Sequence, residues 1–358
     1  MNRLHSKLEK IGRDPKVTAR AVGLRYSANF GKGYYRIRKN EQFQYIDHEN
    51  VRIKDKEILA RISSLVLPPA WENVWISPYA NGHLQATGID AKGRKQYRYH
   101  ADWNKIRNQS KFYRLRRFAE ALPAIREKTD NDLARKGLPY EKVVALVVKL
   151  IELTHIRIGN DAYKKLYGSF GLTTLRDKHV KIESSKVYFD FVGKKGVKHK
   201  IALQSRKLAN LVKKCRDIPG QDLFQYYDDE GRRRTIGSAD VNNYLKEVTG
   251  EDFTAKDFRV WAGSVHALCA FKEIGEPDNQ TDCKRKIVEV LDTVASKLGN
   301  TRTVCKKYYV HPSVIATYQN GKISSYGIQP NIADNNLNPE EEALVRLLES
   351  ETIAEVVA

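Results

Sequence analysis

The chain has 358 residues, 41% of them hydrophobic, with 63 Lys and Arg against 43 Asp and Glu and a formal net charge of +20. That length suits one large or two ordinary domains with a real core, and that charge favours a polyanionic partner over a membrane. No run of about 18 apolar residues occurs to make a transmembrane helix, and the N-terminus lacks the apolar stretch of a signal peptide, so the expectation is an intracellular, cytoplasmic protein.

The opening segment to about Gly23 is basic and compatible with helix, and Glu9 and Asp14 argue against a transit peptide. From Tyr34 to His100 the signals are those of strands. Tyr34–Arg38 and Phe43–Ile46 flank the polar turn at residues 39–42. Val74–Ile76, then His83–Thr87 after Asn81-Gly82, then Lys95–His100 after Asp90-Ala91-Lys92-Gly93, read as further hairpin strands. From Asp102 the period becomes helical, with Ile106–Leu122 and then Tyr140–Ile156, the latter apolar enough to be buried on most sides. Val187–Val192 and Lys198–Leu203 face each other across Gly193-Lys194-Lys195-Gly196, a hairpin with a lysine at its tip. Asp228-Asp229-Glu230-Gly231 reads as a polar turn rather than a metal site. Helices follow over Ser238–Val248, Thr254–Glu273 and Thr281–Leu298, each ahead of a glycine. Seven acids and one base lie between Asp334 and Ala358, so the basic excess belongs to the body of the chain, and only Glu341–Leu348 of this tail is amphipathic. The fold class expected is α+β: a mainly β N-terminal domain (1–101), a mainly helical domain with a β hairpin (102–330) and an acidic C-terminal tail (331–358).

Four cysteines form no C-x-x-C pair and have no zinc-like spacing with histidine, so buried free thiols are expected and no metal site. No G-x-x-x-x-G-K-[ST] segment is present, so nothing points to a bound nucleoside triphosphate.

Several basic residues fall where a phosphate ligand would want them. Thr254-Ala255-Lys256-Asp257 fits a capping box, which puts Lys256 in the first turn of a helix and Arg259 one turn on along the same face; free amides and two cations at a helix start suit a phosphate. A solvated basic face is the blander account of an isolated K-x-x-R. Arg157 is expected to end the apolar helix, with Gly159 as terminator, and alone is as easily explained by capping the last carbonyls. Lys194 alone would be a solvated turn lysine. Asn300 is placed to cap the helix that carries Tyr308 and Tyr309, and neighbours on a helix point about 100° apart, so only one of these two tyrosines can face a given site.

Taken together these segments, His155-Ile156-Arg157-Ile158-Gly159-Asn160, Phe191-Val192-Gly193-Lys194-Lys195-Gly196, Lys256-Asp257-Phe258-Arg259-Val260-Trp261 and Gly299-Asn300 through Tyr309-Val310-His311-Pro312, resemble the type IB DNA topoisomerases of the small poxvirus and bacterial kind. The resemblance extends from about Arg25 to Gly321 and includes Gly88–Tyr99 and Gly171–Leu175. It implies a catalytic set of Arg157, Lys194, Arg259, Asn300 and Tyr309, with Lys256 in support. The nine residues from Asn300 to Tyr309 match the family and select Tyr309 over Tyr308 as nucleophile. Asn300 stands where poxvirus members have histidine, the pattern associated with bacterial members. The resemblance further implies two lobes closing as a clamp on double-stranded DNA, contact through Gln96, Tyr97, Arg98 and Tyr99, a 3′-phosphotyrosyl intermediate, Lys194 as general acid, no need for ATP or a divalent metal, and a monomeric enzyme, nucleoid-associated if the source is bacterial. Two rivals are a tyrosine recombinase, which resembles H-x-x-R where this chain has Lys256-Asp257-Phe258-Arg259, and an architectural DNA-binding protein, which gives no reason for Tyr309 at its distance from Asn300.

Overall fold

The structure, a computed structural model, describes residues 14–27, 32–40, 42–328 and 336–350. The first thirteen residues of the basic lead-in, Glu41 of the first expected turn, and residues 331–335 and 351–358 of the expected tail lie outside the described residues. The chain divides into two compact units, residues 1–112 and 113–358.

The first unit is built on one antiparallel sheet. Helix α1 (Pro15–Ala21) starts on Asp14, whose carboxylate accepts from the Lys16 and Val17 amides. Strands β1 (Tyr34–Lys39) and β2 (Gln42–Ile46) form a hairpin, with Tyr35 opposite Ile46 and Lys39 opposite Gln42. Helix α2 (Lys56–Ser64), which the strand-oriented reading of this region passed over, is capped by Asp55. Strands β3 (Glu72–Ile76), β4 (Leu84–Ile89) and β5 (Lys95–Tyr99) complete the sheet in the order β2-β1-β3-β4-β5. Ile62 of α2 packs on Val74, Ile76 and Ala86 to make the core, and each such side chain contributes roughly 1.5 to 3 kcal/mol by leaving water. Strand β4 is buried along nearly its whole length, and β5 stands at the sheet edge.

Helix α3 (Ala101–Ala134) is far longer than the Ile106–Leu122 expected, because Pro123 sits inside it without ending it. The second unit continues with α4 (Tyr140–Thr154), whose Val143 through Val148 are all buried, as the all-round apolar pattern predicts. This helix stops two residues short of the expected end, and its terminator is His155 in the left-handed region at φ 54° rather than Gly159. Arg157 therefore lies beyond the helix, in an irregular segment. After α5 (Asp161–Tyr167) come β6 (Val180–Glu183), β7 (Lys186–Val192) and β8 (Lys198–Gln204), a three-stranded antiparallel sheet in which β7 and β8 are the expected hairpin, Phe191 opposite His199 and Val192 opposite Lys198. Helix α6 (Arg206–Arg216) leads to the short hairpin β9 (Gln225–Tyr227) and β10 (Arg233–Thr235), turned by Asp228 to Gly231. There Asp228 accepts from Arg232 and Arg234, so this acidic cluster is a turn held by its own arginines.

Helices α7 (Ser238–Thr249), α8 (Ala255–Ile274), α9 (Gln280–Leu298), α10 (Arg302–Tyr308) and α11 (Pro312–Gln319) follow, and Gly250, Gly275 and Gly299 end the first three as expected. The described part of the expected acidic tail contains α12 (Pro339–Glu349), with Ala343, Leu344 and Leu347 buried. Its Glu341 accepts from both Arg126 Nη atoms (2.9 and 2.8 Å) and from Trp261 Nε1 (2.9 Å), and Arg126 also pairs with Glu152 at 2.6 Å. Arg126 of α3 thus ties α12 to α4, and Glu341 itself ties α12 to the helix that carries Arg259 through Trp261, so α12 is part of the second unit's core.

Burial by itself would raise the Glu341 carboxyl, but Arg126, the Asn338 amide and Trp261 hold it below its ordinary value. A depressed carboxylate stabilises fully above about pH 5 and loses that contribution as pH falls through the folded-state value. Glu341→Gln is expected to cost roughly 3 kcal/mol at neutral pH by leaving Arg126 and Trp261 under-partnered, and the difference from the parent should shrink as pH falls below 4 or so. Thermal unfolding of both proteins across that range checks it; a gap that stays constant with pH would show that the carboxylate charge is not what holds α12.

Candidate active site

Five segments of the second unit meet around an open cleft of about 660 Å³, lined among others by Arg157, Lys194, Lys256, Asn300, Tyr308 and Tyr309. Arg259 is not in the lining. It lies beneath, 3% exposed, with its guanidinium carbon 5.1 Å from the centroid of the Tyr309 ring. Its Nη atoms donate to the carbonyls of His155 and Leu298, the second at 2.7 Å, while its Nε is buried with no hydrogen-bond partner among the described residues.

The carbonyls that hold Arg259 are free because two helices end there. His155 closes α4 and Leu298 is the last residue of α9, so each offers a carbonyl with no helical donor. The His155 ring faces His266 with their Nε2 atoms 3.2 Å apart. Burial, then the neighbouring His266, Arg259 and Lys297, pushes the His155 pKa down to about 4; burial and Lys297 push His266 to about 4 as well. Both are neutral at physiological pH, so neither adds a charge that would repel Arg259.

Arg157 is placed by close backbone packing. Its carbonyl accepts from the Leu172 amide at 2.8 Å, and a Cβ on Gly171 would fall 2.5 Å from that carbonyl oxygen and from the Gly159 backbone. Only glycine lets these two chain segments lie against each other. The Arg157 Nη2 donates to the Gly299 carbonyl at 3.2 Å and also to Asn300 Oδ1. Asn300 is therefore not the cap of the helix ahead of it: Thr301 occupies that position, and the Asn300 amide is spent on Arg157 and on the Leu298 carbonyl, 3.4 Å from its Nδ2.

Lys194 is exposed in a single 3-10 turn (Lys194–Gly196) at the hairpin tip, and Lys195 takes the left-handed φ of 63° that the tight turn requires. Lys256 stands in the first turn of α8, where Thr254 and Asp257 form the expected reciprocal cap, the Thr254 amide donating to Asp257 Oδ2 at 2.8 Å. Lys256 and Arg259 share a face, but the one is exposed and the other buried.

Tyr309 is the residue just past α10, 9% exposed, and Tyr308 is the more open of the two tyrosines. Burial alone would raise the Tyr309 phenol; the charge of Arg259, hydrogen bonding to it, and the charges of Arg157 and Lys256 outweigh that and bring it below its ordinary value. Cys305, one turn earlier, goes the other way, pushed up by burial to about 11, so its thiol is no rival nucleophile at neutral pH.

What seats Tyr309 was not legible in the motifs. A Cβ on Gly263 of α8 would lie 2.6 Å from the Tyr309 carbonyl oxygen, and the Ser264 hydroxyl accepts from the His311 amide at 3.0 Å. Gly263 lies one turn beyond Arg259 in a helix where a glycine costs about 1 kcal/mol, and that cost was the available signal. Gly263→Ala is expected to slow DNA cleavage about 100-fold, the effect of moving a reacting group by a fraction of an ångström to one ångström, with non-covalent DNA binding retained. A cleavage assay under single-turnover conditions checks it, and an undiminished rate would mean that this contact does not set the phenol.

The four residues expected to meet DNA are on the edge strand β5 of the first unit. Tyr97 is exposed and stacks on Tyr99 with centroids 5.9 Å apart, while Tyr99 is half-buried. On the other face the Gln96 amide donates to Asp90 Oδ2 at 2.9 Å, and Arg98 is exposed. Asp90 also holds Arg94, and the Arg94 side chain, with the Arg94 and Lys92 amides, brings its carboxyl down to about 2.

Comparison with known proteins agrees with the resemblance. The family described as the catalytic core of eukaryotic DNA topoisomerase I matches residues 100–335, and the N-terminal domain of bacterial DNA topoisomerase IB matches residues 42–90. DNA topoisomerase 1B of Acanthamoeba polyphaga mimivirus is 31% identical over 299 residues, which cover 81% of this chain and 88% of that protein. DNA topoisomerase I of monkeypox virus is 22% identical over 247 residues (68% of this chain, 75% of that protein), and DNA topoisomerase 1 of rabbit fibroma virus 23% over 235 residues (64% and 70%). A core match along most of the chain, together with a relative of this identity over most of both lengths, makes the protein a member of the small type IB DNA topoisomerases.

Proposed function

We propose that the chain relaxes supercoiled double-stranded DNA by cutting and rejoining one strand through Tyr309. The observation that carries this reading is the buried phenol set over the Arg259 guanidinium, with its pKa brought down by three cations, at the wall of a basic cleft. A phenol with an ordinary pKa of about 10 attacks phosphorus at neutral pH only where positive charge supports the oxyanion.

In the step we assign, Tyr309 Oη forms a bond to phosphorus and loses its proton to water, while the bond from phosphorus to the 5′-oxygen breaks. The 3′-phosphate is left on the tyrosine, and Lys194 gives a proton to the departing 5′-oxygen. Arg157 and Asn300 from the wall of the cleft, and Arg259 from beneath it, are assigned to the non-bridging oxygens, where charge builds in the transition state; the Arg259 Nε, without a hydrogen-bond partner among the described residues, is the donor left for such an oxygen. Lys256 supports Lys194 or binds the phosphate. The free 5′-strand rotates, and its hydroxyl reverses the reaction. The ester keeps the energy of the phosphodiester, so the cycle needs no ATP, and the cations take the place that a divalent metal has in other phosphoryl transfers.

In this reading the enzyme works as a monomer in the cytoplasm, the two units take the duplex between them as a clamp, and Gln96, Tyr97, Arg98 and Tyr99 touch the DNA. Exposed Tyr97 and Arg98 support the last point, offering a π-face and a cation at a sheet edge. The test is incubation with supercoiled plasmid in EDTA without ATP. Relaxation in single-strand steps, with a protein–DNA adduct after an SDS quench, is expected. A requirement for ATP or metal would refute the mechanism, and binding without relaxation would favour an architectural role.

A further inference from the structure

The hairpin that carries Lys194 and the turn that carries Asn300 belong to different parts of the second unit, yet one side chain touches both. His199 lies on β8 opposite Phe191, and the two rings stack with centroids 4.9 Å apart and planes 17° from parallel. A Cβ built on Gly193 would fall 2.7 Å from both Cδ2 and Nε2 of that imidazole, and one built on Gly299 would fall 2.4 Å from its Cε1. The ring is thus packed edge-on between two bare glycine Cα atoms, and any larger residue at either place would expel it. Gly193 immediately precedes Lys194. Gly299 immediately precedes Asn300, and its carbonyl accepts from Arg157. Lys194 itself is exposed on a short turn, closed by the Gly193 amide donating to the Val197 carbonyl at 2.7 Å.

We propose that His199 is a positioning residue: its imidazole, wedged between Gly193 and Gly299, docks the Lys194 hairpin against the turn bearing Asn300 and so sets the lysine's reach to the leaving oxygen. The proposal rests on the role given to Lys194 above. Burial, with Arg157 and Arg259 close by, keeps the ring in its neutral form, so the wedge brings no competing charge between the lysine and the phosphate. Its contribution is one of shape, transmitted through the backbone of residues 193 and 299.

The experiment is a double-variant cycle on the full chain, read as single-turnover cleavage of a duplex at a mapped cleavage position, either as ordinary DNA or with sulfur replacing the bridging 5′-oxygen there. A thiolate leaves without a proton, so the sulfur substrate bypasses the general acid. On ordinary DNA, Lys194→Ala is expected to be slower by about 10² to 10⁴-fold, the usual worth of a general acid, and His199→Ala by about 100-fold, the cost of misplacing one. In the double variant, His199→Ala should add less than about 3-fold to Lys194→Ala, because a residue that acts through the lysine has nothing left to position. On the sulfur substrate His199→Ala should regain most of its rate, which a general loosening of the fold would not allow. Full multiplication of the two defects would overturn the proposal, as would a sulfur substrate that rescues Lys194→Ala but not His199→Ala. Failure to rescue Lys194→Ala itself removes the general-acid reading, and the cycle on ordinary DNA then still decides whether His199 works through that lysine. Should His199→Ala lose its unfolding transition, His199→Gln, which keeps a side chain of similar reach, runs through the same cycle.

Discussion

Tyr309→Phe is expected to abolish plasmid relaxation and covalent capture of DNA, a loss on the order of 10⁴-fold or more, as befits removal of the atom that forms the bond. Nothing else at the site should move. The ring remains over Arg259, the Gly263 seat contacts main chain and Cβ only, and the cleft keeps its cations. Affinity for duplex DNA, measured under conditions where no cleavage occurs, should therefore stay within about 3-fold of the parent, since phosphate contacts by Lys and Arg carry most of it. Tyr308→Phe should remain active, because it is the Tyr309 ring that lies over Arg259. Relaxation by Tyr309→Phe with Tyr308→Phe inactive would invert the assignment.

Arg259→Ala should produce the second largest effect, about 10³-fold or more in the cleavage step, in the range that a preorganised oxyanion donor supplies. Three consequences distinguish it from loss of the general acid. The sulfur-substituted DNA should not rescue it, because the non-bridging oxygens still lack their partner. The Tyr309 phenol, freed from the charge that outweighs its burial, should titrate at higher pH, so any rise of the cleavage rate with pH moves to more alkaline conditions. The His155 carbonyl loses its Arg259 donor and Leu298 keeps only the long bond from Asn300, which should lower the unfolding midpoint as well. Arg259→Lys should keep part of the charge effect and little of the geometry, since an ammonium cannot bridge two carbonyls as the planar fork does. Rescue of Arg259→Ala by sulfur would mean that this arginine helps deliver the proton.

The sequence spoke clearly where one local rule governs. Period-2 strands with polar or Gly-containing turns gave β1, β2, β5 and the β7–β8 hairpin; apolar periodicity gave α4 and α7 to α9; the capping box placed Lys256 and Arg259 on α8 within a residue. It was silent or misleading where tertiary contacts decide. The helical period reads as ending at Leu122, but α3 continues through Pro123 to Ala134. Gly159 looked like the terminator of α4, when its openness serves the close approach of Gly171 and His155 takes the left-handed turn. Asn300 read as a helix cap because it follows a glycine, and only the fold shows its oxygen turned to Arg157. The amphipathic stretch Glu341–Leu348 marks α12 within the acidic tail, but the pairing of Glu341 with Arg126, 215 residues away, is a partnership no local pattern announces. Of the site itself, the charged and nucleophilic residues were legible through their motifs. Gly263, Ser264 and His199 were not, because each packs on or hydrogen-bonds to a backbone distant in sequence.

Tyr309 is expected to become joined to DNA. The most direct measurement is to trap the adduct on a nicked or suicide duplex with SDS, digest it with trypsin and nuclease, and sequence the nucleotide-bearing peptide by mass spectrometry. A single modified peptide is expected, with a 3′-linked phosphonucleotide on Tyr309 and Tyr308 unmodified. A nucleotide on Tyr308 or on any other side chain, or a link through the 5′-phosphate, would contradict it.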